Sequence, residues 1–185
     1  MTISIELLEL KLSTVLAEMG VDLLDEETRD TPKRWAKVLA EFSTKPPMVP
    51  NVKAFPNKGY SGMVYDRCEI YSLCSHHMLP VVGVAHMAYL PTNHVLGLSK
   101  LSRIADHFAR QPTTQEWLTQ TIAEYIQAMV NPKGVAVRIE AKHLCKCSRG
   151  IGKQEGMMGT TVLLGAFMND QATREEFLSY VGRLN

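Results

Sequence analysis

No stretch of this 185-residue chain approaches the roughly 20 consecutive apolar residues that a helical membrane span requires. An excess of one charge is also missing: 20 Lys and Arg stand against 19 Asp and Glu, a formal net charge of +1. Neither a general nucleic-acid surface nor one for anionic membranes is therefore expected, and any anion site must be a local cluster. The first residues, "MTISIELLELKLST", carry acidic groups among the apolar ones and have no basic n-region. They do not read as a secretory leader, so a cytoplasmic protein is expected. Cysteine is scarce, with Cys68, Cys74, Cys145 and Cys147 only. Without secretion, such residues are read as thiols or metal ligands rather than a disulfide framework. Internal repeats and low-complexity tracts are absent. What remains is an ordinary globular composition, 45% apolar and 21% charged, sufficient for one sizeable domain with a small helical appendage.

The pattern changes period along the chain. Residues 3–19 repeat Ile, Leu and Val at helical spacing and stop at Gly20. "RDTPKRWAKVLAEF" predicts a second helix, with Thr31 as N-cap and Pro32 at the first helical position. "STKPPMVPNVKAFPNKGYSG" then reads as a loop, which places an N-terminal helical arm at residues 1–44 and a catalytic domain at 45–185. "MVYDRCEIYSL" and "VVGVAHMAYL" predict strands. Two helices follow, over "SKLSRIADHFAR" and "TTQEWLTQTIAEYIQAMV", the second with Thr113 and Glu116 at capping-box spacing. "GVAVRIEAKHLCKC" alternates with period two, and "MMGTTVLLGAF" is its expected partner strand. Thr173 and Glu176 would cap a last helix. Two helices followed by strand-strand-helix-helix-strand-strand define an α+β fold.

The chemistry concentrates in "SLCSHHMLP" and at the end of the alternating strand. Cys74 and His77 form a two-residue clip, and Cys145 is a distant third soft ligand. Two thiolates and an imidazole suit tetrahedral zinc, and three protein ligands leave a position for water, the arrangement of catalytic sites. Continued alternation would point His143, Cys145 and Cys147 to one side. A closed site with Cys147 as fourth ligand is the rival, strained because only one residue separates the two cysteines. A metal-assisted hydrolysis needs a proton shuttle, for which His76 and His143 are candidates; either could instead only orient a ligand by hydrogen bonding. For an anion, "GLSK" opens a helix with Ser99 as N-cap, and Lys100, Arg103, Arg149, Arg34 and Lys37 are the basic residues at hand. Scattered cations alone usually just solvate a surface. Glu116 is accounted for by capping, although a carboxylate there could also accept two bonds from an N–H pair such as guanine N1 and N2.

Five separated stretches carry a resemblance: "DTPKRWAK", "CSHHMLPVVGVAHMAYLP", "LGLSKLSRIADHFARQPTTQEWLTQ", "GVAVRIEAKHLCKCSRGIGK" and "TREEFL". In this order, over about residues 1–182, they resemble the GTP cyclohydrolase I family. The resemblance implies the tunnelling fold, in which ββααββ units join into a barrel, with bacterial-type members forming a decamer of two pentamers and active sites between subunits. It implies a hydrolase that opens the imidazole ring of GTP by water attack at C8, releases formate and rearranges the ribose to give 7,8-dihydroneopterin triphosphate, the entry to tetrahydrofolate or 7-deazaguanine synthesis. By motif, Cys74, His77 and Cys145 would bind Zn2+, and His143 would act in acid–base catalysis with His76 assisting. Gln115 and Glu116 would hold the guanine, while Ser99, Lys100, Arg103 and Arg149 bind the triphosphate, helped by Arg34 and Lys37.

The chain departs from the family pattern in three places. Ser75 stands where the family has Glu between Cys and His-His. Gln111 and Thr113 replace an expected Arg and Gln. "GKQEGMMGTT" replaces a Ser/Thr-rich run and brings in Gly156, Met157 and Met158. A second reading, from another class, is a non-catalytic or altered-specificity zinc- and nucleotide-binding relative of the same fold.

Overall fold

The computed structural model describes residues 3–43 and 52–183. The chain divides into two compact units, Met1–Pro47 and Met48–Asn185. In the first, α1 (Ile5–Glu18) packs on α2 (Thr31–Ser43). The Ser4 hydroxyl accepts the Leu7 N–H at the start of α1. At its end Gly20, at φ +82°, lets its own N–H reach Ala17 O while the Val21 N–H reaches Leu16 O. Those two bonds satisfy carbonyls that the helix terminus would otherwise leave open. α2 starts one residue earlier than the spacing suggests: Thr31 is already helical, and the Asp30 carbonyl accepts the Arg34 N–H. Pro32 then sits in the first turn, where no N–H is needed. Part of the proline-rich loop, residues 44–51, lies outside the described residues.

The second unit begins with β1 (Ala54–Pro56), β2 (Val64–Cys74), β3 (Pro80–Leu90) and β4 (His94–Leu96). It continues with α3 (Lys100–Ala109), β5 (Pro112–Thr113), α4 (Gln115–Val130), β6 (Gly134–His143), α5 (Leu144–Cys147), β7 (Met157–Gly165), α6 (Ala166–Asn169) and α7 (Gln171–Arg183). The five-stranded sheet runs β5-β2-β3-β6-β7, antiparallel except for β5 on β2, and β1 pairs separately with β4. Its long elements follow the ββααββ order that the family resemblance implies, and the fold is α+β.

The alternation in β6 is realised as expected. Val135, Val137, Ile139 and Ala141 are fully buried beneath Leu101, Ile104 and Ala105 of α3 and Leu118, Ile122 and Ile126 of α4. Each large aliphatic side chain so enclosed contributes about 1.5–3 kcal/mol. On the opposite face Arg138 and Glu140 pair at 2.8 Å, and Phe167, Phe177 and Val181 of α6 and α7 cover Ala88 and Ala136 near one end. The last helix is capped by Asp170, whose Oδ1 accepts the Thr173 N–H at 2.7 Å, rather than by Thr173.

Register determines which residues meet at the other end of the sheet. β2 finishes at Cys74 and β6 at His143, and His143 lies opposite Val81 at the start of β3. Two-residue β5 pairs Thr113 with Cys74, which sets the N-terminus of α4 beside both strand ends.

Candidate metal centre and adjoining cavity

The connection from β2 to β3 folds the Cys74–His77 clip on itself. The Cys74 carbonyl accepts the N–H groups of His77 and Met78, and the Cys74 N–H donates to Leu79 O. Met78 takes φ +53°, a left-handed conformation that costs a side-chain-bearing residue about 1–2 kcal/mol. The Ser75 N–H donates to Thr113 O, tying the turn to β5. As a result the Cys74 thiol and His77 Nδ1 stand 3.8 Å apart.

The third residue arrives differently from the sequence expectation. Alternation does not continue to Cys147: β6 ends at His143, and Leu144–Cys147 form a helical turn, with the Ser148 N–H bonded to Leu144 O. At about 100° per residue, positions two apart on such a turn diverge by about 200°. Cys145 therefore joins Cys74 and His77, while Cys147 is buried outside that group. The ligand atoms of Cys74, His77 and Cys145 all lie within 4.8 Å of one another, so the three could hold a metal ion. For tetrahedral zinc, bond lengths of about 2.3 Å to sulfur and about 2.0 Å to nitrogen put S and N about 3.5 Å apart, within about 0.3 Å of the 3.8 Å found. Burial pushes the Cys145 thiol up, and the neighbouring Cys74 sulfur adds to the effect, partly opposed by Arg149. Two thiols crowded in this way resist ionising together, and a cation between them removes that conflict. Donor chemistry and spacing both fit a thiophilic divalent ion.

Beside these three residues lies a cavity of about 220 Å³ walled by His76, Gln115, Glu116, His143, Lys146 and Met158. Burial holds the His143 imidazole below its ordinary pKa, with Glu116 opposing and Lys146 reinforcing the shift. The Glu116 carboxylate is free of the expected capping duty. The N-cap of α4 is Thr114, whose hydroxyl accepts the Trp117 N–H, one residue later than the Thr113–Glu116 spacing suggests. Gln115 differs most from expectation. It is only 3% exposed, and its amide nitrogen donates to Ile139 O, Met158 O and Thr160 Oγ1, while its Oε1 lies 2.8 Å from His143 Nε2. Its side-chain amide is thus committed to the protein.

The expected anion ligands are distributed more widely. Ser99 is the N-cap of α3, but its hydroxyl makes no capping bond. With Lys100 it lines a different hollow, shared with Lys53 and Phe55. Arg103 lies one turn on in α3, Arg149 follows α5 closely enough to act electrostatically on Cys145, and Arg34 and Lys37 belong to the first unit. The structure therefore gathers Cys74, His77, Cys145, His76, His143, Gln115 and Glu116 around one cavity and does not bring Ser99 and Lys100 to it. Sequence reasoning missed Lys146, Thr119 and Thr160. No local pattern marks Thr119 or Thr160, whereas Met158 lies in the stretch that departs from the family pattern.

Residues 8–182 match the GTP cyclohydrolase I family. The GTP cyclohydrolase 1 of Coxiella burnetii is 44% identical over 171 residues, covering 90% of this chain and 93% of that protein. The GTP cyclohydrolase 1 1 of Pseudomonas syringae pv. tomato is 43% identical over 173 residues, covering 91% and 92%. The GTP cyclohydrolase 1 of Methylococcus capsulatus is 42% identical over 180 residues, covering 95% and 97%. Among solved structures, the archaeosine synthase QueF-Like in the apo form aligns with 58% of this chain and 97% of its own, at 20% identity and a TM-score of 0.48. From the family match and the identity along nearly its whole length, the chain belongs to the GTP cyclohydrolase I family.

Proposed function

We propose that this protein is a zinc-dependent hydrolase that opens the imidazole ring of GTP and yields 7,8-dihydroneopterin triphosphate and formate. The observation that carries the reading is the three-ligand group Cys74, His77 and Cys145 set at the edge of a cavity whose wall bears His143 and Glu116. Zinc held by those three side chains would supply Lewis acidity, making water nucleophilic near neutral pH.

The chain's own residues account for the remaining chemistry. Glu116, at the N-terminal end of α4, presents a carboxylate that can accept from guanine N1–H and the N2 amino group together, fixing the purine edge. His143 takes the proton that water releases on adding to C8 and returns it to the nitrogen that leaves C8. His76, on the cavity wall, assists at the purine ring. A second hydrolysis frees C8 as formate, and the ribose chain, after Amadori rearrangement, closes the new ring with loss of water. Ser99, Lys100, Arg103 and Arg149 bind the triphosphate. That Ser99 and Lys100 line a hollow apart from the metal group supports sites assembled between subunits, as in a decamer of two pentamers with the strands joined into barrels.

Among the described residues no helix is long and apolar enough to cross a membrane. The proposed enzyme is cytoplasmic and stands at the head of tetrahydrofolate or 7-deazaguanine synthesis. The test is incubation of purified, zinc-loaded protein with GTP beside dGTP and other purine triphosphates, following formate and the pteridine chromophore, with metal analysis of the same sample. Zinc bound at Cys74, His77 and Cys145 without any chromophore refutes the hydrolase and leaves a nucleotide-binding relative.

A further inference from the structure

We infer that Gln115 is a positioning residue: it locks His143 in the Nε2–H tautomer and so leaves Nδ1 as the ring nitrogen that exchanges protons with the substrate. The second half of this statement rests on the proposed hydrolase; the first half stands on the hydrogen-bond geometry alone.

Proton bookkeeping within the network fixes every direction. The Thr119 hydroxyl lies 2.7 Å from Gln115 O, and a carbonyl cannot donate, so Thr119 is the donor there. Its single proton is then used, and the 2.6 Å contact between Thr119 and Thr160 must be donated by Thr160. With its own proton used, Thr160 Oγ1 can only accept from Gln115, at 3.1 Å. The same amide group of Gln115 also faces Ile139 O at 3.0 Å and Met158 O at 2.9 Å. Three acceptors with no proton to give surround that position, so it must be the NH2 end of the amide. Turning the amide over would set its oxygen against two carbonyls and a lone pair, leaving buried groups unsatisfied at about 1–3 kcal/mol each.

The other end of the amide is therefore Oε1, which has no proton. Its contact with His143 Nε2 at 2.8 Å is a hydrogen bond only when Nε2 carries the proton. A neutral His143 consequently has its lone pair on Nδ1. Gln115 is almost wholly buried at the first turn of α4, and its partners lie on β6 and β7. The orientation is thus enforced by three elements at once, a preorganisation that an exposed amide could not supply. A neutral acceptor also selects the tautomer without adding a negative charge beside the ring.

The experiment uses full-length, metal-loaded protein with 15N-labelled histidine rings, read by magic-angle-spinning NMR at alkaline pH, where imidazoles are neutral. Signals of His143 are assigned by their loss in His143→Asn. The expected spectrum has a protonated Nε2 and a bare Nδ1 for His143, and in Gln115→Met the two tautomers mix. In the same variant kcat for GTP falls about 100-fold or more, as expected for misplaced acid–base catalysis. KM stays within about threefold, because no substrate contact is lost, and metal content is unchanged. A protonated Nδ1 in the parent protein overturns the inference, even if Gln115→Met fails to fold. So does a raised KM with kcat intact, which would return Gln115 to the guanine. Parent protein that shows protonated Nε2 yet turns over no GTP supports the positioning role while refuting the proposed function.

Discussion

Adding one methyl group at Gly83 tests whether the sheet holds the site as tightly as its register suggests. Gly83 lies opposite Ala141, two residues before His143 on β6. A Cβ built there falls 2.5 Å from Ala141 Cβ and 2.6 Å from Ala141 Cα, and closer still to the Glu140 carbonyl. Carbon atoms normally rest about 3.5–4.0 Å apart, so β3 and β6 must part locally by about 1 Å. None of the atoms met is the end of a flexible side chain, so no rotamer change relieves the clash. Overpacking of this kind costs about 1–3 kcal/mol, and weakening a ladder bond on either side adds about 1 kcal/mol. A total of about 2–4 kcal/mol in a chain of this size lowers the thermal midpoint by about 5–15 °C. The assay is thermal unfolding of Gly83→Ala beside the parent at matched protein and zinc concentrations, since bound metal and association both shift midpoints. Turnover at a temperature where both are folded should fall about 100-fold, because a displacement of about 1 Å at a catalytic group costs that much. A midpoint unchanged to within about 1 °C, with activity intact, would refute the claim that strand spacing positions His143.

Three further outcomes are expected. Cys145→Ser should lower zinc retained after dialysis against a weak chelator, while Cys147→Ser, outside the metal group, should retain zinc like the parent; equal loss in both would restore the closed four-ligand site. Glu116→Gln exchanges a charged acceptor for a neutral one and should cut kcat/KM for GTP about 10–150-fold, from the roughly 1.5–3 kcal/mol of a charge-assisted bond; an unaltered preference for GTP over ATP would remove Glu116 from the guanine. His86 is fully buried, its Nδ1 bonded to the Tyr65 hydroxyl, and burial holds its pKa below the ordinary value, Arg67 and Arg138 assisting and Glu140 opposing. The unfolded chain therefore binds a proton more readily, so this contribution to stability is present above about pH 6.5 and declines as pH falls through the folded pKa. His86→Phe should flatten the loss of thermal midpoint between about pH 7 and about pH 5, and an identical slope in both proteins would refute the assignment.

How legible the fold was depended on where its causes lie. The β6 alternation could be read because burial against α3 and α4 repeats every second residue and needs only local sequence to be seen. The pattern misled at its end, since Leu144–Cys147 lie past the last sheet pairing, where nothing rewards period two and a helical turn closes its own bond to Ser148. Capping shows the same limit. Thr113 and Thr114 are chemically equivalent caps, and the choice falls to Thr114 because Thr113 is taken by its pairing with Cys74, a contact 39 positions away that no local spacing reveals.

The three residues that could hold a metal were legible in the sequence, whereas the support of His143 was not. Cys74, His77 and Cys145 are rare residue types whose clustering has few structural explanations, so motif and chemistry identify them together. Gln115 is an ordinary polar residue at a helix start, and such residues usually face water. Its partners sit 24, 28, 43 and 45 positions downstream, at Ile139, His143, Met158 and Thr160. Moving the cap to Thr114 makes Gln115 the first helical residue and turns it under α4 toward β6 and β7, while Glu116 beside it remains exposed at the cavity. Two adjacent residues that one motif treats as a pair are thereby divided in chemistry: Glu116 has a charge left for a substrate, and Gln115 has no unsatisfied amide hydrogen to offer one.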